Sequence, residues 1–136
     1  TRILLVPSVW DEPFGRVAAE AMINGIPPIV SDRGSLPGVI GGDWAGCGAG
    51  RVMPLPEWMT VTTQQLPSES EVRPWFDAVC ELWDDPDLYR RMGARGRAIA
   101  EERHGEGMSR ARHVGYFTAL RSGGPLPYGA VGDVKG

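Results

Sequence analysis

A three-layer α/β unit, with a small parallel sheet covered by helices on both faces, is predicted by three features of this 136-residue chain. Short segments around Ile3 to Val6, Ile29 to Val30 and Val52 to Met53 are apolar without alternation, which suits strands buried on both faces, as in a parallel sheet. A segment with helical spacing separates the first two, and strand–helix–strand order predicts parallel pairing through a right-handed crossover. Glycine and proline contribute 19 and 12 residues, so tight turns should join short elements.

Taken in order, the first strand is Ile3 to Val6, stopped by Pro7. Ser8 to Phe14 reads as a polar-aromatic loop. Gly15 to Asn24 carries Val17, Ala18, Ala21 and Met22 at helical spacing, and Gly25 supplies the stop expected just past a helix end. Pro27 and Pro28 lead into a second strand, Ile29-Val30-Ser31-Asp32, followed by a glycine-rich loop that reaches Gly50. Arg51-Val52-Met53 before Pro54 is the third strand, and Glu57 to Pro67 has no firm pattern. Ser68 and Glu71 have the spacing of a capping box. Val72, Trp75, Phe76, Val79, Leu82 and Trp83 then form a helical stripe wide enough to bury one face. Asp85-Pro86 reads as an N-cap followed by proline at the first helical position. The helix it opens carries Leu88, Met92 and Ile99 on its apolar face, is interrupted by Gly93 and Gly96, and runs to about Arg103. Met108, Ala111, Val114 and Phe117 begin a last helix. The folded domain is thus expected over residues 1–121, with a flexible Gly/Pro-rich tail over 122–136.

Composition narrows the function. One domain is the ceiling at this length. A net charge of −3, from 14 basic and 17 acidic residues, offers no attraction for nucleic acid or anionic membranes. No stretch approaches the roughly 20 apolar residues of a transmembrane segment. Cys47 and Cys80 lack a short Cys-x-x-Cys spacing, so neither a disulfide framework nor a zinc site is expected, and a reducing, cytoplasmic setting is the reading. Three strands are few for such a layout. One sheet edge is left that neighbours would normally cover, which predicts self-association or a partner chain. The abrupt entry into a strand at Thr1 suggests that the chain is a piece of a longer protein.

The stretch from Pro7 to Met22, PSVWDEPFGRVAAEAM, carries the chemistry. Glu12 lies in a loop at a strand's carboxyl end, where open α/β sheets form their ligand crevice. Glu20 projects from the second turn of the helix that follows. A carboxylate can accept two hydrogen bonds from vicinal hydroxyls, such as those of a sugar or a ribose, so two spaced acids suit an extended polyol ligand. Amides near Phe14 and Gly15 lie at a helix start, and Gly15 has no side chain to hold a ligand oxygen away. The same spacing equally describes a solvated helix start in which Arg16 and Glu20 form an i,i+4 pair.

This stretch resembles the motif of retaining GT-B glycosyltransferases of the sucrose-synthase and mannosyltransferase-like family, the glycosyl transferases group 1. There a Glu, seven residues and a second Glu follow a Pro-Ser strand end. Asn24-Gly25-Ile26-Pro27 with Ile29-Val30-Ser31-Asp32 is similar to the family's next strand. Gly34-Ser35-Leu36-Pro37 with Val39-Ile40 is similar to its following glycine-rich loop. The resemblance covers about Arg2 to Pro54 and implies the later half of a Rossmann-like, nucleotide-sugar-binding domain. It implies that Glu12 is the catalytic-site acid that hydrogen-bonds donor-sugar hydroxyls, that the Phe14 and Gly15 amides join it, and that Glu20 binds the ribose. Arg16 is counted with the donor-binding set. It further implies no metal and no cofactor beyond the nucleotide-diphosphate sugar substrate. Neither acid is a covalent nucleophile on this reading, because the family is described as reacting on one face, with the donor phosphate helping to deprotonate the acceptor.

Gly38 departs from the pattern, since the family often has Glu after Leu-Pro. The family's basic pair for the diphosphate and its acceptor-binding domain would lie upstream of Thr1. A missing N-terminal domain or partner chain is therefore expected, and the chain alone should bind donor poorly and transfer nothing. Two other classes fit the same residues: a non-catalytic nucleotide- or sugar-binding module, and an interaction domain that keeps the fold without a ligand site. Plainer roles suit the remaining residues. His104 and His113 sit among charged residues, Asp84-Asp85 is a cap before it is a metal pair, and Trp75, Phe76 and Trp83 are core before they are a sugar platform. The arginines from Arg90 to Arg103 form a solvated face. Trp10 and Arg33, each beside a strand end, are candidates to line the crevice.

Overall fold

The computed structural model describes residues 1–41, 48–104, 114, 115, 117–119, 121 and 122. It has two compact units, Thr1–Glu101 and Glu102–Gly136. The first unit contains β1 (Leu4–Val6), α1 (Arg16–Ile23), β2 (Pro28–Ser31), α2 (Leu36–Val39), β3 (Arg51–Met53), α3 (Glu69–Asp84) and most of α4 (Pro86–His104). In the second unit, residues 114, 115, 117–119, 121 and 122 are helical. Met108 and Ala111 of the expected last helix, together with the tail beyond 122, lie outside the described residues, so the division expected at 121/122 falls within this unit.

The sheet is parallel, in the order β1-β2-β3. Leu5 pairs with Ile29 and Val6 with Val30, while Val30 pairs with Val52 and Ser31 with Met53. Pro28 sits at the first residue of β2, where its missing N–H costs the ladder least, and all four residues of β2 are buried. Alternate side chains of this central strand enter opposite cores. Val30 packs with Ala18 and Met22 of α1, Leu36 and Val39 of α2, and Ile99 and Ala100 of α4. Ile29 packs with Ala78 and Leu82 of α3 and Met92 of α4. Each fully buried aliphatic side chain of this kind contributes about 1.5–3 kcal/mol. The three layers expected from the apolar runs are therefore present.

The capping predictions hold. Glu71 Oε2 accepts the Ser68 N–H at 2.8 Å and its hydroxyl at 2.7 Å, opening α3. Asp85 Oδ1 accepts the amides of Asp87 and Leu88 at 2.9 and 2.8 Å, opening α4. Gly93 and Gly96 do not interrupt α4, which is continuous. Instead Gly93 lets the helix approach the Gly25 carbonyl, into which any Cβ would project. Arg51 of β3 reaches Glu81 of α3 with two contacts, at 2.9 and 3.0 Å.

Three expectations need correction. Leu36 to Val39, read as loop, forms the one-turn helix α2, because Pro37 pre-sets helical φ while Leu36, Val39 and Ile40 find a core. Val17, placed on the apolar stripe of α1, is 46% exposed. The broad α3 stripe is only half used: Leu82 is buried and Trp75 packs beside it, but Phe76 and Trp83 remain 58% and 56% exposed. Trp83 instead carries the Arg2 guanidinium over its ring, 4.6 Å from the centroid. No helix among the described residues is long and apolar enough to cross a membrane.

Candidate functional site

All three strands point their carboxyl ends at one set of loops, and hydrogen bonds tie these loops together. Ser31, fully buried at the end of β2, donates its hydroxyl to the Ser8 carbonyl at 2.7 Å, fixing the loop after β1. The Ser35 amide donates to the Glu12 carbonyl at 2.7 Å, and the Gly34 amide to Asp11 Oδ1 at 3.2 Å. Gly34 has φ +56°, and a Cβ there would run into the Glu12 backbone amide and carbonyl. Only glycine meets both demands. On the other side, Asp32 Oδ1 accepts the Leu55 amide at 3.1 Å. Arg33 donates to the carbonyls of Leu55 and Pro56 at 3.3 and 3.1 Å, with the Asp32 carboxylate 3.5 Å away.

The patternless segment after β3 is held by its own polar side chains. Met59 and Thr63 donate backbone amides to Pro56 and Thr60 at 3.0 Å each, and Thr63 Oγ1 donates to the Trp58 carbonyl at 2.8 Å. Trp58 Nε1 donates to Glu71 Oε1 at 3.0 Å, anchoring the segment to α3. The Ser68 hydroxyl first and the Ser68 amide second lower the Glu71 pKa below the ordinary carboxylate value; desolvation opposes them, and the Trp58 indole adds a lesser lowering.

Helix α1 starts on Gly15, whose φ of +59° is the left-handed conformation and whose absent Cβ would lie 2.9 Å from Val39 Cγ2. The Gly15 carbonyl accepts the amides of Ala18 and Ala19 at 3.1 and 3.2 Å. The first turn has no acidic residue and no side-chain cap, so nothing on α1 itself offsets the positive end of its dipole. The buried Ser35 hydroxyl has no hydrogen-bond partner among the described residues, and it would lie 3.5 Å from a Cβ on Gly15. A junction of this kind can receive ligand oxygens at backbone N–H groups.

The expected site residues are distributed along this junction. Glu12 is half-buried in the clamped loop, while Phe14 is 72% exposed beside buried Gly15. Glu20, in the second turn of α1, is exposed and lies 3.8 Å from Arg16, the i,i+4 pair that the spacing permits. Trp10 and Arg33, the two candidates for the crevice wall, share a hollow of about 370 Å³ with Val9, Asp11, Glu57, Met59, Thr60 and Val61. Neither Glu12 nor Glu20 lines that hollow. Sequence reasoning missed Glu57 and Thr60, which lie in the stretch without periodicity. Asp84 and Asp85 end α3 and cap α4, and no three His, Cys, Asp or Glu side chains come together among the described residues. Gly38 lies on the exposed side of α2, where a Cβ would meet nothing within 4 Å, so no steric demand explains its departure from Glu.

Residues 1–48 match the model of the family described as Glycosyl transferases group 1, a span that contains β1, the clamped junction, α1, β2 and α2. No curated protein matches the chain.

Proposed function

We propose that residues 1–101 are the nucleotide-sugar-binding part of a retaining GT-B-type glycosyltransferase, acting in a cytoplasmic setting. The observation that carries this reading is the junction from Asp11 to Glu20. A strand-end loop braced by backbone hydrogen bonds feeds an uncapped helix start, with one carboxylate before it and one in its second turn, inside the segment that is similar to glycosyl transferases. Glu12 accepts hydrogen bonds from donor-sugar hydroxyls, the amides around Phe14 and Gly15 receive donor oxygens, and Glu20 accepts the ribose hydroxyls. Arg16 stands beside this path, 3.8 Å from Glu20.

Neither acid attacks the anomeric carbon. The donor phosphate assists deprotonation of the acceptor on the face from which the diphosphate leaves. Negative charge grows on that diphosphate in the transition state and calls for fixed cations. Those cations and the acceptor-binding surface belong, on this proposal, to a further domain or a partner chain.

Weak binding by the 136 residues is best read by NMR of the 15N-labelled chain titrated with ADP, GDP, UDP and dTDP to tens of millimolar. One nucleotide should shift the amides of Phe14, Gly15, Arg16 and Glu20, and Glu20→Gln should weaken the response at least about tenfold. The loss of one charge-assisted partner, about 1.5–3 kcal/mol, raises a millimolar Kd to about 10–150 mM. Unchanged spectra from Glu12 to Glu20 with all four nucleotides would end the proposal.

A further inference from the structure

The hollow beside the junction has a chemistry of its own. Its walls come from the three loops at the strand ends: Trp10 and Asp11 after β1, Arg33 after β2, and Glu57 and Thr60 after β3. Trp10 leaves 51% of its surface to solvent although it borders a concavity. Its ring is thus open to a ligand seated in the hollow, an apolar body with a polar N–H at one edge.

Hydrogen bonds brace the loops that carry Trp10, Asp11, Arg33 and Thr60. The Trp10 loop is held by Ser31 and Ser35. Arg33 spends Nη2 on two carbonyls, which leaves its side chain only 22% exposed and sets the guanidinium plane. Thr60 sits in a hydroxyl cluster, with Thr62 Oγ1 at 3.1 Å and Thr63 Oγ1 at 3.2 Å. Asp11 is oriented through Oδ1 by the Gly34 amide, so Oδ2 is the oxygen a ligand would meet.

We propose that this hollow is a pyranose-binding subsite, distinct from the Glu12–Glu20 path and resting on the glycosyl-transfer reading. A pyranose ring has an apolar C–H face and an equatorial rim of hydroxyl groups. Trp10 supplies a flat, polarizable surface for the first. Asp11 and Glu57 accept hydrogen bonds from the second, and Thr60 can donate or accept. A nucleobase would also stack on an indole, but two carboxylates supply acceptors only. They fit a ring whose edge is all hydroxyl donors better than a base edge that mixes donors and acceptors. A phosphate is disfavoured by the same two negative charges. The ring can come from the acceptor glycan or from the sugar of the donor.

The test is an NMR titration of the intact chain with methyl α-glucoside, methyl α-mannoside and methyl α-galactoside, each to about 100 mM, in parallel with a nucleoside diphosphate and nucleotide hexoses. At least one glycoside is expected to shift the Trp10 indole N–H and the amides of Asp11, Gly34 and Thr60. Trp10→Phe should keep the shifts of the Asp11, Gly34 and Thr60 amides, Trp10→Leu should abolish them, and Asp11→Asn should weaken binding several-fold while retaining the Gly34 contact. If the ring is the acceptor's, the glycoside shifts persist when a nucleotide hexose saturates the junction. If it is the donor's, the nucleotide hexose displaces the glycoside. The subsite is refuted if no glycoside perturbs these residues, or if the shifts survive in Trp10→Leu. A Trp10 response to glycosides without any nucleotide response at Glu12 to Glu20 would leave the subsite standing and overturn the donor-binding proposal. The two failures are therefore distinguishable.

Discussion

The brace between the first two strand-end loops predicts that Gly34→Ala is among the most damaging single-methyl changes in the chain. At φ +56° an alanine pays about 1–2 kcal/mol for the left-handed conformation alone. Its Cβ would also collide with the Glu12 backbone amide and carbonyl, atoms that cannot rotate away as a side chain would. Relief requires the loops to part, which breaks Ser35 N–H to Glu12 O and Gly34 N–H to Asp11 Oδ1. Two such bonds contribute about 0.5–1.5 kcal/mol each. The sum is about 2–5 kcal/mol, against a total stability of about 5–15 kcal/mol for a typical domain. With a urea slope near 2 kcal/mol/M, the midpoint should fall by about 1–2.5 M. Gly38→Ala is the control: in α2, with nothing within 4 Å of the added methyl, it should be neutral or stabilise by about 0.5–1 kcal/mol. Urea transitions followed by far-UV circular dichroism measure both. Midpoints for the two variants within 0.3 M of each other, a precision of about 0.6 kcal/mol at that slope, would show that the loops are not braced at this point.

Three further perturbations probe separate parts of the unit. Ser31→Ala removes the buried hydroxyl that holds Ser8 and leaves that carbonyl short of a donor, so a loss of about 1–3 kcal/mol is expected; equal urea midpoints would contradict it. Leu82→Ala opens a cavity on the α3 face of the sheet, where the side chain is fully buried, and should cost about 2–5 kcal/mol in the same assay. A loss below 1 kcal/mol would mean that α3 is not docked on β2 as described. The third concerns pH. The Glu71 pKa is lowered by folding, so its contribution is fully present above the ordinary carboxylate value and fades as pH falls through the lowered one. Glu71→Gln should therefore be less stable than the parent at pH 7, by a gap that narrows as pH falls below the ordinary carboxylate value. A gap that stays constant across that range would show that the charge at Glu71 contributes nothing.

Much of this architecture was legible because local chemistry and tertiary environment agree. Ile29 and Val30 are apolar with no polar alternation, and the sheet buries both, one on each face. Ser68, Glu71 and Asp85 announce two helix starts through side chains whose geometry is fixed within three residues. Legibility fails where a residue's environment is set by distant chain. Phe76 and Trp83 lie at helical spacing with Leu82, but spacing gives a face and not the width of what covers it; the three-stranded sheet covers Leu82 and leaves the two aromatics exposed. Leu36-Pro37-Gly38-Val39 reads as a turn because glycine and proline dominate it, and it becomes helical because a core is waiting for Leu36 and Val39. The acids at 12 and 20 could be named from the motif, whereas Glu57 and Thr60 could not, since they join Trp10 and Arg33 only through the fold.

The division of labour between elements explains why a short unit can present so ordered a surface. A loop-borne site normally loses precision to backbone freedom, and each residue held in one conformation costs about 1–2 kcal/mol. Here the cost is met locally: Ser31 extends the buried strand's order into the first loop, Gly34 brings the second loop against it, Asp32 and Arg33 bind the third, and Trp58 carries that order to Glu71 at the start of α3. The links draw on side chains at strand and helix ends, Ser31, Asp32, Arg33 and Glu71, and on Asp11 and Trp58 within the loops themselves, and they leave other positions at the loop tips available. Those tips hold Trp10 and Phe14, which are 51% and 72% exposed. Aromatic groups on fixed backbone lose little further entropy when they meet a ligand, which is the condition for useful affinity from a small contact area.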